Sequence, residues 1–185
     1  MRKLKLQMQL SLDSFCAGPD GEMDWMTHEW DDEIKQYVTD LTEPVDCIVL
    51  GRKLAEGFIP YWATVAADPD DPQYSAGRKF TDTPKVVFSR TPGLPGWDNT
   101  VLAKGTLSHE ITQLKKQQGK DIIAYGGATF ASALIGEGLV DELHLFINPT
   151  SIGKGLTPFT GRTGLQLVQS KAFPCGIVLL QYQPK

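Results

Sequence analysis

Residues 121–146 read DIIAYGGATFASALIGEGLVDELHLF, and this stretch decides the fold. Ile122, Ile123, Ala124 and Tyr125 form a short apolar run suited to a strand buried on both faces, and the run stops at Gly126-Gly127. From Ala128 the period becomes helical. Phe130, Ala131, Leu134 and Ile135 share one apolar face, Gly136 and Gly138 end the helix, and Val140, Leu143, Leu145 and Ile147 begin another strand. A strand, a Gly-Gly turn and a helix start place free backbone N–H groups and the positive end of a helix dipole at the carboxyl edge of a sheet, which suits a phosphate. Taken alone, a Gly-Gly pair after a strand is also the mark of a plain tight turn, so the rest of the chain has to decide.

Working back to the start, Leu4, Leu6, Met8, Leu10 and Leu12 alternate with Lys5, Gln7, Gln9 and Ser11, the period of a strand with one apolar face. Gly18-Pro19-Asp20-Gly21 makes a loop rather than a hairpin, because no second alternating run follows. Thr27 is then the expected N-cap of a helix reaching about Leu41, with Glu29, Asp31, Asp32 and Glu33 in its first turns. Val45, Cys47, Ile48, Val49 and Leu50 form a second buried strand that ends at Gly51-Arg52-Lys53, and Leu54, Phe58, Tyr61 and Trp62 predict a short helix after it. The stretch AADPDDPQYSAG, residues 66–77, has no apolar period and reads as an exposed loop able to cover a site. Val86, Val87 and Phe88 form a third buried strand, ended by Ser89-Arg90-Thr91-Pro92, and Val101-Leu102 a short fourth. Leu107, Ile111 and Leu114 give a helical stripe that Gly119 stops. Beyond the deciding stretch, two β-like runs, residues 165–173 and 177–182, are joined by Pro174-Cys175-Gly176 and predict an antiparallel hairpin. The order β-α-β-α-β-β-α-β-α-β-β-β predicts an α/β fold with a mixed sheet and helices on both faces.

Composition narrows the function. The chain has 185 residues, 41% of them hydrophobic, and no linker-like segment, which predicts one domain over residues 1–185. A net charge of −4, with Lys115-Lys116 as the densest basic run, argues against nucleic acid as a partner. Cys16, Cys47 and Cys175 show no CxxC spacing, which argues for a reducing compartment and against a disulfide framework or structural zinc. No apolar run reaches the roughly 20 residues of a membrane span, so a cytoplasmic location without membrane contact is expected. His28, His109 and His144 lack metal-ligand spacing, and no metal is expected. There is no GxGxxG and no GxxxxGK[ST], and Ser151-Ile152-Gly153-Lys154 matches SxxK without its partner motifs.

Three buried strands end in small or basic residues, at Gly51-Arg52, Ser89-Arg90 and Gly126-Gly127. Ligands of open α/β sheets bind beyond the carboxyl ends of strands, so three such ends together make a polyanion site. The segments SLDSFCAGPDGEMDW, DCIVLGRKLAEGF, PKVVFSRTP and IIAYGGATFASALIGEGLVDELHL, in this order, resemble the dihydrofolate reductase superfold across nearly the whole chain. More closely, the sequence resembles the C-terminal reductase domain of the bifunctional riboflavin-biosynthesis deaminase/reductase and its free-standing relatives. That resemblance implies a three-layer, mostly parallel sheet and an NADPH-dependent hydride transfer to a C=N or C=O carbon of a small pterin-, pyrimidine- or related substrate. It also implies a homodimer built through the C-terminal half, to which the apolar run Ile177, Val178, Leu179 and Leu180 adds a surface.

On the same basis Gly51, Arg52 and Lys53 with Ser89 and Arg90 are expected at the adenosine phosphates. Gly126, Gly127, Ala128 and Thr129 are expected at the pyrophosphate, and the loop carrying Ala17 and Gly18 at the nicotinamide. The Gly126–Gly127 peptide is expected to be strained or cis. Two features depart from the family. The helical acid that anchors a pterin, counted from Trp25, falls on Trp30, and the zinc motif of the deaminase half does not occur in these residues. Asp13, Asp31 and Asp32 are therefore the candidate catalytic carboxylates, for orienting substrate or delivering a proton through water. The rival reading is a nucleotide-binding module of the same fold without turnover, in a regulatory or stress role.

Overall fold

The amino-terminal alternation forms β1, Leu4–Leu10, which lies inside an eight-stranded sheet and not at its border. The computed structural model describes residues 1–93 and 95–185. After β1 come α1 (Asp32–Thr42), β2 (Val45–Gly51), α2 (Arg52–Ala67), α3 (Tyr74–Asp82), β3 (Lys85–Phe88) and β4 (Thr100–Leu102). Then follow α4 (Leu107–Lys116), β5 (Asp121–Tyr125), α5 (Ala128–Gly136), β6 (Glu142–Ile147), β7 (Leu165–Ala172) and β8 (Val178–Pro184). The strand order is β4-β3-β2-β5-β1-β6-β8-β7. The six strands from β4 to β6 in that order are parallel, and β8 and β7 close the sheet as the expected antiparallel hairpin.

Alternation decides which side each residue serves. Leu4, Leu6, Met8 and Leu10 join Val49, Ile122, Ala124, Leu143 and Leu145 under Ile111 of α4 and Ala131 and Leu134 of α5. On the opposite face, Ile48, Leu50, Val87 and Ile123 meet Leu41 of α1, Ala55 and Ile59 of α2 and Phe80 of α3. Beside that group, Ile34 of α1 packs on Phe146, Phe173, Ile177 and Leu179. The sheet is thus covered on both faces, the mixed α/β sandwich that the element order predicts. Among the described residues, no helix is long and apolar enough to cross a membrane.

The structure corrects several expectations. The helix after β1 is capped by Asp31, whose carboxylate accepts the Ile34 N–H at 2.9 Å, and Thr27 caps nothing. Residues 66–77 are not one loop: α2 runs 16 residues, with Pro60 inside it, and α3 begins at Tyr74. The two helices pack so closely that a Cβ on Gly77 would lie 2.8 Å from the Ala66 nitrogen, while Phe80 anchors α3 in the core. This close approach of backbones, with an aromatic anchor, stabilises a helix too short to stand alone. The polar side of β1 is covered as well, with Lys5 and Gln7 buried. Ile177 and Leu179 are buried within their own chain under α1, which accounts for much of the hairpin's apolar character without a partner. The Gly126–Gly127 peptide is trans.

Candidate functional site

Because β1, β2, β3, β5 and β6 are parallel and in register, their carboxyl ends open on one edge. Gly51 pairs with Phe88, and Leu50 with Tyr125, so the turns at Gly51-Arg52, Ser89-Arg90 and Gly126-Gly127 are neighbours there. One side chain binds them together. A Cβ on either Gly51 or Gly126 would stand 3.0 Å from Phe130 Cβ, and the Phe130 ring packs against that of Phe88 with centroids 5.5 Å apart. Both glycines are required by this contact, since any larger residue would push Phe130 out.

Helix starts at this edge differ in one respect. Asp31 caps α1 and Thr106 caps α4, but α2 and α5, which begin on the strand-end glycines Gly51 and Gly127, have no side-chain cap. The first N–H groups of a helix have no partner within it, so two uncapped starts side by side offer donors and positive dipole ends to an anion. Gly127 stands at φ −71° and ψ 178°, with open space where a Cβ would be. Thr129 is exposed in the first turn of α5, and Ala128 is half-buried beside it.

The basic residues are placed unequally. Arg52 donates to the Glu56 carboxylate at 2.8 Å and to the Gly93 carbonyl at 2.6 Å, tying the turn after β3 to the start of α2. Arg90 and Lys53 are exposed on the same rim. Ser89 is engaged locally, its hydroxyl accepting the Thr91 N–H at 3.0 Å and donating to the Thr91 carbonyl at 2.8 Å.

The loop after β1 is knitted to the loop after β6. Cys16 N–H donates to the Leu156 carbonyl and Leu156 N–H to the Ala17 carbonyl, both at 2.8 Å, and Gly155 leaves no room for a side chain beneath Ala17 and Phe15. Gly18 is buried under the Glu22 side chain. Asp13 fastens this junction. Its carboxylate accepts from the Ser11 hydroxyl at 2.7 Å, the Ser151 hydroxyl at 2.8 Å, and the N–H groups of Gly153 at 2.7 Å and Ile152 at 3.2 Å. These bonds, that of Ser11 foremost, hold its carboxyl well below the usual range. Asp31 is similarly occupied, accepting from Ile34 N–H and, at 2.8 Å, from Cys175 N–H, and the Ile34 bond lowers its carboxyl. Asp32 points into water beside Lys35. Asp13 and Asp31 are therefore engaged in separate local bonds, and Asp32 is fully exposed.

Sequence reasoning missed a polar layer on the α1 side of the sheet. Tyr125 Oη donates to Gln7 Oε1 at 2.9 Å, and burial pushes the tyrosine hydroxyl far up, so it stays a donor. Asn148, just past β6, donates to Gln9 Oε1 at 2.8 Å. Trp30 stacks on Phe146 with centroids 6.1 Å apart. Further along β6, Tyr37 Oη lies 2.9 Å from His144 Nδ1, and Glu142 takes His144 Nε2 at 3.3 Å and Lys3 Nζ at 2.7 Å. The alternation of Gln7 and Gln9 with leucines was the available signal.

The family model of the RibD C-terminal domain matches residues 2–179 of this chain. The uncharacterised protein YyaP of Bacillus subtilis is 32% identical over 98% of this chain and 94% of its own length. The riboflavin biosynthesis protein RibD of Corynebacterium ammoniagenes is 27% identical over 82% of this chain, a match that spans 44% of that protein. Among solved structures, a candidate riboflavin biosynthesis protein of Shewanella sp. PV-4 superposes with a TM-score of 0.76 at 22% identity, covering 99% of both chains, which shows the fold.

Proposed function

The chain belongs to the family of RibD C-terminal domains, and from that membership and the rim just described we propose that it is an NADPH-dependent reductase of a small pterin-, pyrimidine- or related substrate. The observation that carries this reading is the pair of uncapped helix starts at Gly51-Arg52 and Gly127-Ala128, drawn together by Phe130. A dinucleotide has two phosphate groups to place, and this rim has two backbone donor sites, with Arg52 and Lys53 on the first turn of α2 and Arg90 after the neighbouring strand β3. In this reading the N–H groups of Ala128 and Thr129 hold the pyrophosphate, and Arg52, Lys53, Ser89 and Arg90 hold the adenosine phosphate. Ala17 and Gly18, fixed by the Asp13 junction, form the wall toward the nicotinamide. The cofactor supplies a hydride to a C=N or C=O carbon, and the protein supplies position and exclusion of water. Asp13 and Asp31 act by holding loops. Residues 1–185 act as one domain, in the cytoplasm and as a homodimer. Titration with NADPH by tryptophan quenching, followed by loss of reduced-nicotinamide absorbance with pyrimidine and pterin substrates, tests the reading, and failure to bind NADPH refutes it.

A nucleotide-binding module without turnover is the second reading, favoured by the structural engagement of the Asp13 and Asp31 carboxylates. NADPH binding without oxidation across the same substrates would establish it.

A further inference from the structure

We propose that Glu56 is a specificity-determining residue for the cofactor: its carboxylate stands beside the ribose 2′ position and works against Arg52, narrowing the preference for NADPH over NADH. This inference rests on the reductase reading above. The start of α2 differs from those of α1 and α4. Asp32 and Glu33 stand in the first turn of α1 and Glu110 in that of α4, where carboxylates suit the positive end of a helix dipole. The first turn of α2 has no acidic residue and opens with Arg52 and Lys53, two cations set against the dipole. Helix stability does not favour that order, and a local rule broken without a structural gain marks a functional place, here one for an anion. The first carboxylate on α2 is Glu56, one turn later, and it is bound to Arg52.

Each member of this pair keeps a polar atom for a ligand. Arg52 donates through Nε to Glu56 Oε1 at 2.8 Å and through Nη1 to the Gly93 carbonyl at 2.6 Å, and two bonds in different directions fix the plane of the guanidinium. Arg52 Nη2 makes no hydrogen bond among the described residues, and neither does Glu56 Oε2. Both side chains meet water, Arg52 at 25% and Glu56 at 53% exposure, so a ligand reaches them without displacing the core. One small patch of rim therefore offers a donor, Nη2, next to an acceptor, Oε2. The two cofactors differ only at the ribose 2′ position, where one carries a phosphate and the other a hydroxyl. The phosphate, with a charge of about −1.5 to −2, is taken by Nη2 and repelled by the adjoining carboxylate. The hydroxyl is a donor that Oε2 accepts, as an acidic side chain does in NAD-type sites. Both effects of Glu56 have the same sign, each favouring NADH relative to NADPH, and Arg52 has the opposite one.

Wild type, Glu56→Gln, Arg52→Ala and the double variant are titrated with NADPH and with NADH, and thermal melting is measured on the same samples. Glutamine keeps an acceptor for Arg52 Nε and removes the charge. Glu56→Gln is expected to tighten NADPH by about two- to threefold and to weaken NADH by about as much, so the ratio of affinities rises by about fivefold. In the Arg52→Ala background the same change should still raise the ratio by at least about twofold, because the carboxylate acts on the nucleotide itself. The melting temperature should move by less than about 2 °C, since an exposed i,i+4 ion pair contributes little to the fold. A ratio that Glu56→Gln leaves within about twofold of wild type, or lowers, overturns the assignment. So does an effect confined to the background that keeps Arg52, because Glu56 would then act only by holding the arginine. Wild type that binds neither dinucleotide refutes the reductase reading and this inference with it, whereas binding with an unmoved ratio leaves that reading standing and removes Glu56 alone.

Discussion

Phe130 occupies the space that a side chain on Gly126 would need: a Cβ there would fall 3.0 Å from Phe130 Cβ, and the ring is nearer still. Gly127, one residue on, faces open space at φ −71°. The two glycines of the pair therefore differ in kind. Gly126→Ala should destabilise the fold by about 1–3 kcal/mol, the range for overpacking, because Phe130 also rests on Gly51 and Phe88 and cannot swing freely. Gly127→Ala should cost less than about 1 kcal/mol, the size of a poorer N-cap residue. Denaturant titration of the two variants checks the difference, and equal losses would show that Phe130 is not the constraint.

The Asp13 junction gives a pH dependence of definite sign. Its folded carboxyl lies below its ordinary value of 3.8, so the ionised form contributes stability fully above that value. The contribution is lost as pH falls toward the folded value. Asp13→Asn should melt below wild type at neutral pH, with a gap that closes as the pH is lowered. NADPH affinity should fall as well, because Ala17 and Gly18 are held in place through this carboxylate. A variant that melts lower yet binds NADPH unchanged would separate the junction from the cofactor wall.

Glu142 makes a second, more buried case. The hydrogen bond from His144 Nε2 is the largest cause lowering its carboxyl from 4.5 to about 2, with Lys3 adding to it and burial opposing. Stability from this group is complete above about pH 4.5 and is lost as pH falls from there toward 2. Lys3 is half in water, which screens the pair, so Glu142→Gln should cost about 2 kcal/mol at neutral pH, less than the shift alone would imply. The deficit should shrink in acid. Tyr37→Phe should cost about 1–2 kcal/mol by leaving His144 Nδ1 without its donor. Urea titrations across pH 2 to 7 read both effects.

What was legible in the sequence was local. Gly51, Gly119, Gly126 and Gly138 punctuate the chain where the elements change, and apolar runs marked the central strands because β1, β2, β5 and β6 are buried. What depended on tertiary partners was not. Thr27 and Asp31 are equally good caps in isolation, and Asp31 prevails because its second oxygen also takes Cys175 N–H from the far end of the chain. Helix α3 was hidden by its proline- and aspartate-rich approach, since its docking depends on Gly77 meeting Ala66. The polar residues of β1 read as an outer face. Lys5 and Gln7 are buried instead, and Gln7 and Gln9 bond Tyr125 and Asn148 across strands. Asp13 stood out in the sequence as a candidate catalytic carboxylate, but not its holding role, which requires residues 151–153.

For the homodimer proposed above, β7 offers the surface. It is an edge strand with Leu167 52% and Val168 50% exposed, and its pairing with β8 shifts register between Leu167 and Gln169. Such a bulge discourages a continued strand ladder, so the contact expected is side-chain packing of these two residues against a second copy. Light scattering at micromolar concentration should give twice the 20.4 kDa chain mass. Leu167→Lys with Val168→Lys should give the chain mass with an unchanged melt of the fold, whereas a monomeric wild type would refute the dimer.

Cofactor choice follows from how the two arginines are held. Arg52 is oriented by Glu56 and the Gly93 carbonyl, and its removal also loosens the turn after β3. Arg90 is exposed on that turn, so Arg90→Ala is the cleaner substitution. If the two arginines grip the 2′-phosphate that distinguishes NADPH from NADH, each charge-assisted bond contributes roughly 1.5–3 kcal/mol, and wild type should prefer NADPH by about ten- to a hundredfold. Arg90→Ala should weaken NADPH by about tenfold or more and leave NADH within about twofold, shrinking the ratio without lowering the melting temperature. Arg52→Ala should shrink the ratio too, while weakening both cofactors through the displaced turn. Parallel titrations of the three proteins with both nucleotides decide the matter: equal affinities in wild type, or a ratio that neither substitution moves, would remove the adenosine phosphate from this rim.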